Sequence, residues 1–383
     1  MIITFVSAFL NHHQLLLCEE LRKYCDEFYY ISTKPVPEER LELGYEDLEQ
    51  KYSYVLRTYD GSSEDEAIND LILRSDAVIF GECDDKYIEL RMKENKLSFL
   101  YSERFFKKGT WRRFIPQTRK KIVRRVVQHK DKNLYVLCAS AYLSSDLSLL
   151  GFDEKKCFKW GYFPQVKEYD TCPERRNEPI KLLWVGRFLE LKHTDDAVNA
   201  AANLRDQGVD FTFDIIGSGE REEALKSLVK KLDLESKVNF LGTMTPMEVI
   251  ENMEKADIFM MTSDFNEGWG AVVNEAMSTG CAVLISSALG CAKYLVSDKE
   301  NGFIYQFGNQ KDMNDKLYLM ATDHKLRKEA GKNAFKTISS EYNQTVAVKR
   351  LMEFIGSGNS KVKEYESGPL SLAPVTKNNW YKV

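Results

Sequence analysis

Short apolar runs recur along the chain, and most are followed by a stretch whose apolar positions return every three or four residues. The runs Ile2–Ala8, Phe28–Ser32, Ala77–Phe80, Ser98–Tyr101 and Tyr135–Ala139 read as strands, and Gln14–Tyr24 and Glu64–Leu73 as helices between them. The segment "YFPQVKEYDTCPERRNEP", with its three prolines and many charges, interrupts the alternation and reads as a linker. A second series then begins. Its strands are Lys181–Gly186, Phe211–Gly217, Val238–Gly242, Ile258–Thr262, Ala282–Ser286 and Phe303–Phe307. Its helices are Asp195–Asp206, Arg221–Leu232, Pro246–Lys255 and Ala271–Thr279.

Strands that alternate with helices and are themselves near-continuously apolar belong to parallel sheets covered on both faces. The pattern therefore predicts an α/β protein of two Rossmann-like domains, over residues 1–170 and 171–340. A helical tail runs from Asp323 to Ile355. Residues 341–383 are expected to return to the first domain, ending in a loosely ordered segment.

Length and composition fit that division. At 383 residues the chain exceeds the size of one ordinary core, and its net charge of −4 argues against nucleic acid as a main partner. The eight cysteines form no C-x-x-C pair and several lie in apolar runs, so they read as buried thiols in a reducing cytoplasm. Neither they nor the five histidines cluster at metal-ligand spacing. "MIITFVSAFL" lacks a basic start and reads as a buried first strand rather than a signal peptide.

Candidate chemistry gathers behind the strands of the second domain, where open α/β sheets bind ligands. "GRFLELK" offers Arg187 and Lys192, a planar fork and a mobile charge suited to a diphosphate. "FNEGWG" offers Glu267 as an acceptor for sugar hydroxyls, with Gly268 and Gly270 allowing close backbone approach. Glu275, two turns along the next helix and flanked by Val272, Val273, Ala276 and Met277, suits the hydroxyls of a ribose.

These stretches resemble the retaining family-4 glycosyltransferases of the GT-B fold. "EGWGAVVNEAMSTGCAV" is similar to the donor-side pattern of two glutamates with seven residues between them. "WVGRFLELKH", "IIGSGE" and "NGFIY" match further motifs in order, over about residues 180–310. Trp269 replaces a common Phe, "GCAK" a second glycine, and Cys281-Ala282 an Xaa-Pro. The resemblance implies two domains facing a cleft, with Arg187 and Lys192 on the diphosphate, Glu267 on the sugar and Glu275 on the ribose. Gly268, Trp269 and Gly270 would give amides, and Gly217, Ser218, Gly219 and Met244 would lie near the base. It also implies same-face substitution in which the departing phosphate helps take the proton, without metal or cofactor.

The first domain carries fewer signals. Asn11, His12 and His13 follow the first strand and are candidates for the leaving phosphate or the acceptor, against a plain helix cap. Glu103 could orient the acceptor hydroxyl, against a Glu103–Arg104 surface turn. Arg104–Lys132 holds twelve basic residues and one acid. Ile115, Ile122, Val123, Val126 and Val127 form its apolar stripe, opposite Arg119, Lys120, Arg124 and Arg125, with Phe105, Phe106, Trp111 and Phe114 ahead of it. Core packing of the stripe, single-stranded nucleic acid and an anionic membrane surface compete, and the surplus charge favours the membrane.

The expectation is a cytoplasmic, peripherally membrane-bound transferase moving a sugar from a nucleotide-sugar, a UDP-sugar in the first instance, to a glycan or lipid-linked acceptor in surface polysaccharide assembly. The alternatives are a GT-B epimerase or phosphorylase, or a non-catalytic module that binds nucleotide-sugar or membrane.

Overall fold

The computed structural model describes residues 1–382 apart from 39–40, 42–45, 62–64, 168, 176–177 and 358–363. Glu64, which opens the expected helix 64–73, and parts of the expected linker and tail lie outside the described residues. The chain divides into two units. One comprises Met1–Gln165 and Tyr342–Lys377, the other Val166–Glu341 and Asn378–Val383.

The first unit holds β1 (Ile2–Ser7), β2 (Glu27–Ser32), β3 (Val55–Arg57), β4 (Ala77–Phe80), β5 (Ser98–Ser102), β6 (Leu134–Cys138) and β7 (Cys157–Lys159). Among the described residues they form one parallel sheet in the order β3-β2-β1-β4-β5-β6-β7. The edge strands β3 and β7 were not expected; three residues are too few to show a period. Arg91 is fully buried, and its guanidinium donates to the carbonyls of Ile72, Leu73, Asp76 and Leu97 at 2.6–3.2 Å, tying the turns that lead into β4 and β5.

The expected single helical tail is two helices, His324–Ser340 in the second unit and Gln344–Gly356 in the first, with Asn343 capping the latter. Phe354 of the second helix packs its ring on Phe99, Tyr135 and Phe158 at centroid distances of 5.3, 4.8 and 5.6 Å. The segment beyond is more ordered than its composition suggested. Leu370, Ser371 and Ala373 are buried, and hydrogen bonds pair Leu370, Ser371 and Ala373 with Cys157 and Lys159 of β7 at 2.7–2.9 Å.

The second unit holds β8 (Ile180–Val185), β9 (Phe211–Ile216), β10 (Val238–Gly242), β11 (Ile258–Met261), β12 (Ala282–Ser286) and β13 (Phe303–Tyr305), parallel in the order β10-β9-β8-β11-β12-β13. Trp184, Phe213, Ile215, Leu284 and Met313 are central to its core. The last residues return to this unit. Trp380 donates to the Ser287 carbonyl at 3.2 Å, and Tyr381 joins Asp298 and Lys316 at 2.6 Å each.

Candidate donor and acceptor sites

Strand order reverses at β8, which pairs with β9 on one side and β11 on the other. In open α/β sheets the crevice outside the carboxyl ends of the strands at such a reversal is the usual ligand position. Lys192 comes from the loop after β8 and Glu267 from the loop after β11. Nζ of Lys192 donates to Oε2 of Glu267 at 2.5 Å, and both side chains are mostly buried. The two loops are fastened by main-chain and side-chain bonds. Thr262 Oγ1 donates to the Lys192 carbonyl at 2.6 Å, and Asp264 N to the Leu191 carbonyl at 2.9 Å. His193, at φ +47°, faces Asp264 at 3.7 Å, and that carboxylate pushes the imidazole pKa up. Arg187 is exposed on the same β8 loop.

Gly217 and Gly219 have a local reason for being glycine. Their φ values are +135° and +153°. A Cβ would fall 1.9 Å from the Gly186 carbonyl oxygen at the first position and 2.8 Å from the Phe188 backbone at the second. The turn after β9, Ser218 included, thus lies directly on the β8 loop, where Phe188 N donates to the Ser218 carbonyl at 2.8 Å. Met244, in the turn after β10, accepts from Asn252 through its sulfur at 3.4 Å.

The turn Gly268–Trp269–Gly270 leads into a helix of only seven residues, Val272–Ser278. Glu275 stands in its first turn, not two turns along as expected. The Trp269 side chain is fully buried and donates from Nε1 to Asn274 Oδ1 at 2.8 Å, which orients the turn. Gly270, at φ +91°, has a backbone conformation that a side chain would strain. Glu275 is half-buried and its carboxylate makes no hydrogen bond or ion pair among the described residues. Burial pushes its pKa up to about 7.

In the first unit Asn11 is the helix cap. Its Oδ1 accepts from Gln14 N at 3.1 Å, so the helix His12–Arg22 starts two residues before the expected Gln14. The His12 and His13 rings lie 3.7 Å apart, and His13 stacks on Tyr162 at 5.4 Å with planes 3° apart. Tyr162 in turn donates to Glu103 Oε1 at 2.6 Å, while Lys107 donates to Oε2 at 2.6 Å. The Glu103–Arg104 surface turn is excluded. Arg104 points inward to Asp146 at 3.0 Å, with both side chains only 1% exposed.

Arg125 departs from the solvated face assigned to it: it is buried and binds Asp85 at 2.6 Å and the carbonyls of Gly81 and Cys83. The helix there spans only Pro116–Arg125. Ile122 and Val126 are core, whereas Trp111 and Phe114 are 59% and 73% exposed beside Arg112 and Arg113. No group of three or more His, Cys, Asp or Glu among the described residues could hold a metal, and no helix among them is long and apolar enough to cross a membrane.

Comparison with known proteins bears most directly on the second unit. Residues 167–337 match the model of the glycosyl transferases group 1 family. An uncharacterized glycosyltransferase of Haemophilus influenzae is 34% identical over 151 residues, 37% of this chain and 42% of that protein. A Campylobacter jejuni enzyme named N-acetylgalactosamine-N,N'-diacetylbacillosaminyl-diphospho-undecaprenol 4-alpha-N-acetylgalactosaminyltransferase is 30% identical over 174 residues, 45% of this chain and 46% of that enzyme. The chain thus spans less than half the length of these two relatives. Among solved structures, Anabaena Alr3699/HepE in complex with UDP superposes with a TM-score of 0.70 over 93% of this chain and 99% of that one, at 15% identity. The fold is GT-B.

Arg187, Lys192, the glycine turns, Glu267 and Glu275 all fall inside the matched segment, on β8, β9 and β11 and the elements that follow them. Asn11, His12, His13 and Glu103 lie outside it. Sequence reading missed His193, Asp264 and Tyr162. The first two were visible as "KH" and "SDF" beside the chosen residues. Tyr162 had no signal, because its partner is fifty-nine positions away.

Proposed function

We propose that this protein is a retaining glycosyltransferase that uses a nucleotide-sugar, a UDP-sugar in the first instance, and glycosylates a glycan or lipid-linked acceptor in surface polysaccharide assembly. The observation that carries the reading is Glu275. A half-buried carboxylate without a partner among the described residues is costly unless a ligand supplies donors. Vicinal ribose hydroxyls are such donors.

In this reading Lys192 exchanges part of its contact with Glu267 for the diphosphate, with Arg187 as the second cation. A sugar resting on the Gly268–Gly270 turn gives its hydroxyls to Glu267. As the glycosidic phosphate departs, the two cations stabilise its growing charge and no metal is required. The acceptor enters on the same face, and the departing phosphate takes its proton, so no protein nucleophile is needed. The relative named for a diphospho-undecaprenol substrate supports a lipid-linked acceptor. Exposed Trp111 and Phe114 beside Arg112 and Arg113 support peripheral attachment to an anionic, cytoplasmic membrane face.

The test is a thermal-shift panel with UDP, GDP, ADP and their sugar conjugates, with and without magnesium. UDP compounds should raise the melting temperature independently of metal, by mass action on the folded state. Indifference to every nucleotide would reject the proposal. Equal recovery on anionic and neutral vesicles would reject the membrane attachment alone.

A further inference from the structure

A second cluster of cations lies at the opposite end of the same sheet. Asp257 immediately precedes β11 and Ala282 opens β12, so the cavity they line sits at the amino ends of the strands, away from Lys192 and Glu267. Its volume is about 40 Å³, roughly three waters, which suits a small ion rather than a nucleotide. Five basic side chains line it: Arg175, His324, Arg327, Lys328 and Lys332. Three of them recur on one face of the helix His324–Ser340, at Arg327, Lys328 and Lys332, while Arg175 comes from the segment ahead of β8.

Two carboxylates line the cavity among the described residues, Glu174 and Asp257, while Asp323 also acts on Arg327 and Glu254 on Arg175 from outside its lining. Both are engaged: Glu174 with Lys328 at 3.0 Å, and Asp257 with the Lys181 amide at 2.9 Å. Arg175 spends Nη2 on the carbonyls of Met253 and Thr279, at 3.1 and 2.7 Å, yet its buried Nε has no acceptor among the described residues. Leaving a buried charged donor unsatisfied is expensive, and an anion in the cavity would relieve it. Lys332 and His324 stand exposed at the rim, with no partner among the described residues. Intrahelical pairing therefore does not consume the surplus positive charge.

We propose that this cavity binds a small oxyanion of the phosphate class, held by Arg175 at its floor and by Lys332 and His324 at its mouth. The bound ion ties the segment before β8 to the helix His324–Ser340 and so stabilises the second unit. It is separate from the crevice read as the donor site and stands whether or not that reading does.

The experiment is a melting-temperature titration of the full chain with sodium phosphate against sodium chloride of equal ionic strength. The unaltered protein is compared with Lys192→Ala and with a His324→Ala/Lys332→Ala double variant, whose two positions are exposed. Phosphate should raise the melting temperature of the unaltered protein and of Lys192→Ala alike. In the double variant the half-saturating phosphate concentration should rise about tenfold, as loss of charge-assisted contacts predicts. The proposal is overturned if chloride does as well as phosphate, if the double variant titrates unchanged, or if Lys192→Ala abolishes the effect and so places the ion in the crevice. A UDP-induced rise that survives the double variant assigns the two ligands to two sites.

Discussion

Glu275 and Glu103 both stand beyond the carboxyl ends of parallel strands, one in each unit, and their surroundings differ completely. Glu275 has apolar neighbours and no partner among the described residues, and burial pushes its carboxyl up to about 7. Glu103 has a donor on each oxygen, Tyr162 on one and Lys107 on the other. An unpartnered carboxylate is poised to accept from a ligand, whereas a saturated one is held in place. Under the proposed function Glu275 would bind and Glu103 would position, ordering the stack of Tyr162 on His13.

The sharpest way to break that comparison is to remove each carboxylate. Glu275→Ala should weaken UDP binding about ten- to a hundredfold by calorimetry, the range for losing charged hydrogen bonds, while Glu103→Ala leaves it unchanged. Equal losses would erase the distinction. Glu267→Ala should spare UDP and weaken only the UDP-sugar.

The next effect is on pH. Glu275 titrates near 7 in the folded chain against an ordinary value of 4.5, so its neutral form favours folding. That contribution is full below about pH 4.5 and is lost as pH rises through 7. Glu275→Gln should therefore stabilise the protein against urea at pH 8, by about 2 kcal/mol, and hardly at pH 4.5. UDP affinity should rise from pH 6 to pH 8 in the unaltered protein and stay flat in Glu275→Gln, as measured by calorimetry at both values.

Smaller changes test the first unit. Asn11→Ala removes a cap and should cost about 1 kcal/mol in denaturant unfolding without touching UDP affinity. Tyr162→Phe deletes one hydrogen bond to Glu103 and should cost about 0.5–1.5 kcal/mol. If Glu103 is a positioning residue, Tyr162→Phe should also change turnover on the acceptor more than the Michaelis constant for the donor.

How much of this was legible follows from distance along the chain. The donor-side loops were readable because each packs its chemistry into a few consecutive residues: "GRFLELK", "GSGE", "FNEGWG". The strands of the second unit were found to within two residues at either end, since four are continuous apolar runs of at least three residues and the other two, "FTFDII" and "VNFLG", are apolar-rich segments that end in glycine turns. Pairings across the fold were not readable. Arg104 reads as a surface cation until Asp146, forty-two positions away, claims it, and Arg125 until Asp85 does. A polar side chain near a strand end thus shows its type in the sequence but not its orientation, which long-range partners set.

The helix Gln344–Gly356 joins the first unit only after the stretch Val166–Glu341 of the second unit has been made. On a ribosome adding 5–20 residues per second, the stretch Val166–Glu341 takes roughly ten to thirty seconds to emerge. Throughout that interval Phe99, Tyr135 and Phe158 wait without the ring of Phe354 that covers them. The nascent first unit therefore keeps this apolar surface uncovered, a target for chaperones, long after its sheet has been synthesised.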